Sequence, residues 1–303
     1  MLTLDALRTK ISSIEDLQAV VRTMKSLAMV SIRQYEQART SLSAYNHTVE
    51  LGLQALLYHR RFADPPQGLM SLASPEPKSG WVGVVLFGSD HGLCGPFNEH
   101  IVTYALDQLG HRHIQPDRRR LAAVGARLIP YLGVANQPVQ TSFSLPSSLA
   151  GTPHLLQDLL QTIEQWRLHQ NVTQILLFYN QLQSTTTYQP SVLSLFPIDR
   201  DWLNDLEQRP WSSPALPTLN QDWESLLSAL IRQHLFVSLY RATVESLASE
   251  NAGRLMSMQA AEKNIEERLA DLQADYRRQR QNSITGELLD IVSGFEALKN
   301  QDP

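Results

Sequence analysis

The fold class that the sequence predicts is a mixture of α+β and α/β: a long antiparallel coiled coil of the N- and C-terminal helices with a central α/β domain between them. Three observations point to it. Residues 1 to 64 hold no proline and a single glycine, Gly52; no proline stands between Pro217 and Pro303; and the stretch between these segments alternates short β-branched runs with helical ones.

In the first segment, apolar or small residues recur at Leu4, Leu7, Ile11, Ile14, Leu17, Val21, Met24, Ala28, Ile32, Tyr35, Ala38, Leu42, Tyr45, Val49, Leu53 and Leu56. Spacings of three and four approach the 3.5-residue period of a supercoiled helix, and one helix of roughly 54 residues is about 80 Å long. The last segment carries the same stripe through Leu226, Leu230, Val237, Tyr240, Val244, Leu247, Leu255, Met258, Ala261, Ile265, Leu269, Leu272 and Tyr276, and extends it through Ile284, Leu288, Ile291, Phe295 and Leu298. Glu262, Lys263, Glu266, Glu267 and Arg268 read as its solvated face. A narrow stripe does not hold a lone helix in water, so each needs a partner. Domain termini tend to lie together, which makes the other terminal helix the expected one, antiparallel.

Residues 81–88, 120–125, 173–181 and 190–197 read as strands, and 97–110, 126–133 and 153–170 as helices. Their alternation predicts a small, mostly parallel, Rossmann-like sheet. The proline-rich stretches 65–77 and 210–217 read as connectors. The expected division is therefore a helix over 1–60, a linker over 61–80, the α/β domain over 81–209, a second linker over 210–221 and the final helix over 222–303.

Lys and Arg number 26 against 30 Asp and Glu in 303 residues, a net charge of -4 that argues against a nucleic-acid partner. Runs such as VVLF and ILLFY fall far short of the about 20 apolar residues of a membrane span. The start MLTLDALRTK lacks the apolar core of a secretory signal. Cys94 is the single cysteine, so no internal disulfide forms.

The densest cluster of unusual residues is GSDHGLCGPFN, 88 to 98. It lacks the GxGxxG of a dinucleotide loop and the GK[ST] ending of a phosphate-binding loop. Cys94 with His91 nearby allows a thiol nucleophile, but such a residue needs a placed base and orienter. The plainer reading is a tight glycine turn entering a helix near Pro96, with Cys94 as a small buried hydrophobe.

Set beside the ends of the chain, the loop takes on another meaning. SDHGLCGPFN resembles the SDxGLCGxxN element of the gamma subunit of F-type ATP synthases. ESLASENAGRLMSMQAAEKN at 245 to 264 is similar to that family's ESxxSExxxRxxAMxxAxxN run, ITGELLDIVSGFEA at 284 to 297 to its ITxExxxIxxGAxA ending, and ISSIEDLQAVVRTMKSLAMVSIRQ more weakly to its first helix. His91 stands where arginine or lysine is common and Phe295 where alanine is usual, which suggests a divergent branch.

The resemblance implies a central rotor stalk that couples ion translocation to ATP synthesis or hydrolysis, with no catalytic, cofactor or metal site of its own. It implies alpha and beta subunits around the coiled coil, and epsilon and the membrane ring of c subunits beneath the α/β foot. The complex is expected on the cytoplasmic face of a bacterial inner membrane. Implied contacts with the catalytic ring are Met24, Lys25, Arg254, Gln281, Thr285, Glu287, Asp290 and Phe295; the loop residues Ser89, Asp90, His91 and Cys94 are expected to face beta. Two plain readings stand beside these: Met24 packing within the coil, and Arg254 pairing with Glu250. A coiled-coil tethering protein with an α/β head is the alternative function.

Overall fold

The computed structural model describes residues 3–60, 80–146, 148–211 and 213–299, with side chains as far as Ser293. The sequence places α1 at Leu4–Arg60, β1 at Trp81–Phe87, α2 at Phe97–His111, β2 at Arg119–Val124, α3 at Leu128–Val134 and β3 at Thr141–Phe143. There follow α4 at Thr152–His169, β4 at Val172–Leu182, β5 at Tyr188–Phe196, α5 at Arg200–Gln208 and α6 at Trp223–Lys299. The proposed linker 61–80 falls almost wholly outside the described residues.

The chain divides into two compact units, one of Ala28–Arg254 and one of the residues up to Leu27 with those from Leu255 on. In the first, five strands lie in the order β3-β2-β1-β4-β5. All neighbours are parallel except β4 and β5, which form an antiparallel pair. Side chains alternate between the faces: Val85, Phe87, Ala122, Val124, Ile175 and Leu177 pack under α4 and under parts of α1 and α6. Val84, Leu86, Leu121, Ala123, Leu176 and Phe178 pack under α2 and α3. Because both faces are covered, the inner strands read as continuous apolar runs and not as an alternation.

β3 and α5 have no counterpart in the sequence reading. β3 is three residues long and acquires its identity by pairing with the edge of β2. The nine residues of α5 follow the cap Asp199, whose side chain accepts the Asp201 amide at 2.9 Å; only this cap and Leu203 and Leu206, both buried, announce it.

The other unit is a helix pair. Val21 packs with Met258, Ile265 and Leu269, with Ile11, Ile14, Met24 and Ala261 at the margin. Lys25 Nζ meets Glu262 Oε2 at 2.6 Å, and Arg22 reaches Glu262 at 2.9 Å and Glu266 at 3.5 Å, the descending register of an antiparallel pair. Glu262 is thus a bridging acid and not a member of a merely solvated face; the two cations hold its carboxyl below the usual range. Leu17 (51% exposed) and Tyr45 (46%) fall off the stripe that the sequence assigned them to. A 3.6-residue helix drifts against a 3.5-residue repeat, so positions spaced in threes and fours do not all stay on one face.

Candidate functional site

The loop from Gly88 to Asn98 is held almost entirely by its own polar groups. The Ser89 amide donates to Asn98 Oδ1 at 3.0 Å, Asn98 Nδ2 donates to Ser89 Oγ at 2.8 Å, and that hydroxyl donates to the His91 carbonyl at 2.9 Å. Asp90 ties the loop to two other segments, one carboxylate oxygen accepting the Ala126 amide at 2.7 Å and the other the Leu145 amide at 2.6 Å. Gly125 has φ 110°, and a Cβ there would lie within 2.9 Å of the Ser89 backbone, so only glycine permits this approach.

Ser89 and Cys94 are buried, at 0% and 2% exposure. This corrects the expectation that they face a partner: neither side chain reaches the surface. Among the four loop residues, His91 is exposed and Asp90 half-buried. Burial pushes the Cys94 thiol up, against a smaller opposite pull from the Ser89 hydrogen bond, and Ser89 Oγ at 3.6 Å is no base. A buried thiol with a raised pKa is a poor nucleophile, so Cys94 fits a packing role better than that of an attacking group. Among the described residues there is no group of His, Cys, Asp and Glu able to hold a metal ion.

What the loop grips is α6. Residues 242 to 253 of this helix are buried without interruption, which an amphipathic helix with one apolar stripe does not do. Some polar residues on the hidden faces find partners, while the buried Ser246 Oγ has none among the described residues. Ser249 Oγ donates to the Asn180 carbonyl at 2.9 Å, and Asn251 Nδ2 to the Leu247 carbonyl at 2.8 Å. Gly253 marks the closest approach: a Cβ there would stand 2.8 Å from the Cys94 carbonyl oxygen and 3.2 Å from the Tyr188 ring. The glycine of the 245–264 motif and the cysteine of the 89–98 motif are therefore two halves of one contact.

Beside it, Arg254 Nη2 pairs with Glu250 Oε1 at 2.5 Å, and Arg254 Nη1 donates to Asn251 Oδ1 at 3.0 Å. The guanidinium expected at the ring is thus occupied within its own helix. Burial pushes the Glu250 carboxyl up, while Arg254 and then His91 act to lower it. Tyr35 of α1 completes the cluster; burial raises its phenol, and Glu250 raises it further.

The remaining expected ring contacts are not brought together. Met24 packs at the margin of the helix pair and Lys25 is bound to Glu262. Gln281, Thr285, Glu287 and Asp290 are exposed on α6, with Thr285 Oγ1 donating to its own helix at the Gln281 carbonyl, 2.8 Å away. Around them Ile284, Leu288, Leu289, Ile291 and Val292 stand 48 to 68% exposed. The side chain of Phe295 lies outside the described residues.

Residues 3–298 match the family model described as ATP synthase. The chain belongs to the ATP synthase gamma-chain family. An ATP synthase gamma chain of Anaeromyxobacter dehalogenans is 29% identical over 98% of this chain and 100% of its own length. That of Pasteurella multocida is 27% identical over 96% and 98%. The fold is shared with a chain of the mitochondrial ATP synthase of Euglena gracilis in its third rotational state, at TM-score 0.63, 16% identity and coverage of 97% and 94%. As a gamma chain, it is a central-stalk subunit of an F-type ATP synthase and part of a membrane-associated complex. No described helix is long and apolar enough to cross a membrane.

Proposed function

We infer that the chain is the rotating shaft through which ion flow in a membrane ring drives alpha and beta subunits between states of different nucleotide affinity, with hydrolysis driving the reverse. One observation carries this reading: α6 is a single helix from Trp223 to Lys299 whose residues 242 to 253 are buried without a break, while the apolar positions from Ile284 to Val292 are exposed among the described residues. A helix that is clamped at one place and bare at another suits torque transmission. An asymmetric shaft of this kind makes different contacts with otherwise identical subunits, and so shifts their populations.

In this reading the bare stretch sits among alpha and beta subunits, contacted through Gln281, Thr285, Glu287, Asp290 and Phe295, with Met24, Lys25 and Arg254 farther along the two helices. His91 and Asp90 are the loop residues left to meet beta, and epsilon and the c ring contact the α/β region of residues 81–209. The complex stands on the cytoplasmic face of the inner membrane. The division into helices over 1–60 and 222–303 with linkers at 61–80 and 210–221 belongs to the same proposal.

The experiment is reconstitution with alpha and beta chains of the same source and a bead attached to the α/β region. ATP should drive continuous rotation; an assembled complex that hydrolyses ATP with a stationary bead overturns the reading. Cys94→Ser should leave rotation and hydrolysis intact, since the thiol only fills a buried site; loss of hydrolysis in a correctly assembled variant would mark it as chemically engaged.

A further inference from the structure

One edge of the sheet departs from the acidic balance of the chain. Of the arginines between residues 81 and 209, half fall within residues 112–120, where the chain passes from α2 into the start of β2, namely Arg112, Arg118, Arg119 and Arg120, with Asp117 the one acid among them. His111, the last residue of α2, and His113 stand beside them. This connection is built rigidly. His113 adopts φ 55°, the Ile114 amide closes onto the Leu109 carbonyl at 3.0 Å, and the buried Arg119 donates from Nε to the Ile114 carbonyl at 3.2 Å. Arg119 Nη1 also donates to Gln137 Oε1 at 3.1 Å. Arg120 lies over the Trp81 ring, 4.2 Å from its centroid. Two arginines thus shape the connection, and Arg112 and Arg118 project from it into solvent. Neither has an ion-pair partner among the described residues.

The plain explanation is that basic residues complement the negative C-terminal end of α2. It accounts for His111 and Arg112, but not for Arg118, and not for a second observation. The two most exposed large apolar side chains among the described residues are Val134, at 87%, and Leu168, at 77%. Both stand at this edge. Val134 closes α3 three residues before Gln137, which Arg119 holds. Leu168 lies in the last turn of α4, next to Asn171, whose carbonyl accepts the Trp81 amide at 3.1 Å. Asp199 and Asp201 lie beyond β5, at the far end of the same edge.

We propose that this edge, with Arg112, Arg118 and the two histidines flanked by Val134 and Leu168, is a docking surface for anionic phospholipid headgroups. Guanidinium groups match phosphate in shape and charge, and bare aliphatic side chains enter the acyl boundary that an acidic protein surface does not offer. The proposal goes beyond the rotor reading and does not depend on it: a shaft that never touches lipid still rotates.

The test is co-sedimentation of the full chain with phosphatidylcholine vesicles, with and without phosphatidylglycerol, across about 50 to 200 mM salt. Binding should require phosphatidylglycerol and weaken with salt. Each arginine near an anionic surface contributes about a fivefold factor in partitioning, so Arg112→Gln with Arg118→Gln should weaken binding about 25-fold. Val134→Ser with Leu168→Ser should weaken it while leaving the salt dependence in place. Equal binding to both vesicle types, or anionic binding unchanged in the arginine pair, overturns the proposal. So does a chain that ignores vesicles while the arginine pair weakens its salt-sensitive hold on the membrane sector, which assigns the edge to an acidic protein instead. The four substituted side chains are exposed, and unchanged thermal unfolding of each variant separates lost binding from lost folding.

Discussion

At Gly253 a hydrogen decides how two segments far apart in sequence fit together. Alanine ordinarily strengthens a helix by about 1 kcal/mol over glycine, yet a Cβ here would stand 2.8 Å from the backbone oxygen of Cys94, which cannot rotate away. Overpacking of this kind typically costs about 1 to 3 kcal/mol, so Gly253→Ala should lower the unfolding midpoint despite its better propensity. A variant as stable as its parent would show that the loop backs away freely. A second residue, His234, stacks on Trp202 with ring centroids 4.5 Å apart, and its buried Nδ1 has no hydrogen-bond partner. Burial lowers its pKa, only partly opposed by Glu50. The folded state therefore binds this proton less readily than the unfolded chain; the stability contributed is complete above about 6.5 and is lost as pH falls from there through the lowered folded value. His234→Phe keeps the stack without the titration, and its stability should vary less with pH below about 6.5 than the parent's. Parallel profiles by denaturant titration would count against it.

Among the elements, α6 is the one whose parts differ most. It runs 77 residues against 57 for α1, and its apolar positions pass from buried at Leu269 and Leu272 to about half exposed or more from Ile284 on. No described residue covers the last of these, so they contribute little to the stability of the isolated protein. Deleting the residues after Thr285 should shift the unfolding midpoint of the isolated chain by less than about 1 kcal/mol equivalent, and should weaken assembly with alpha and beta subunits or its coupling. A large loss of stability in the isolated chain, or a truncated chain that assembles and couples normally, would remove the case for a partner on this stretch.

The whole molecule works as a shaft only if α6 is continuous. Gln259 is exposed and past the clamped segment. Gln259→Pro breaks the helix there, at a cost of about 3 kcal/mol with a kink, without touching the loop contact. The assembled complex should continue to hydrolyse ATP while ion pumping falls away. Full pumping per ATP in this variant would mean that torque does not pass along α6.

The sequence alone determined the class of this protein because its signals are local or periodic. Proline-free stripes define two helices, β-branched runs define strands, and the elements at 89–98 and 245–264 are contiguous, so each is legible without any fold. The tertiary structure alone decided which residues those elements serve. Ser89 and Cys94 turn inward because Asn98 and the His91 carbonyl take up the hydroxyl and α6 closes against the Cys94 carbonyl at Gly253, a contact between residues some 160 apart that no local pattern carries. Glu262 leaves the solvated face for Lys25 and Arg22. β3 is three residues that exist as a strand because β2 offers an open edge. In each case the deciding energy is a contact or a desolvation between distant segments, and it comes into being only when the chain has folded.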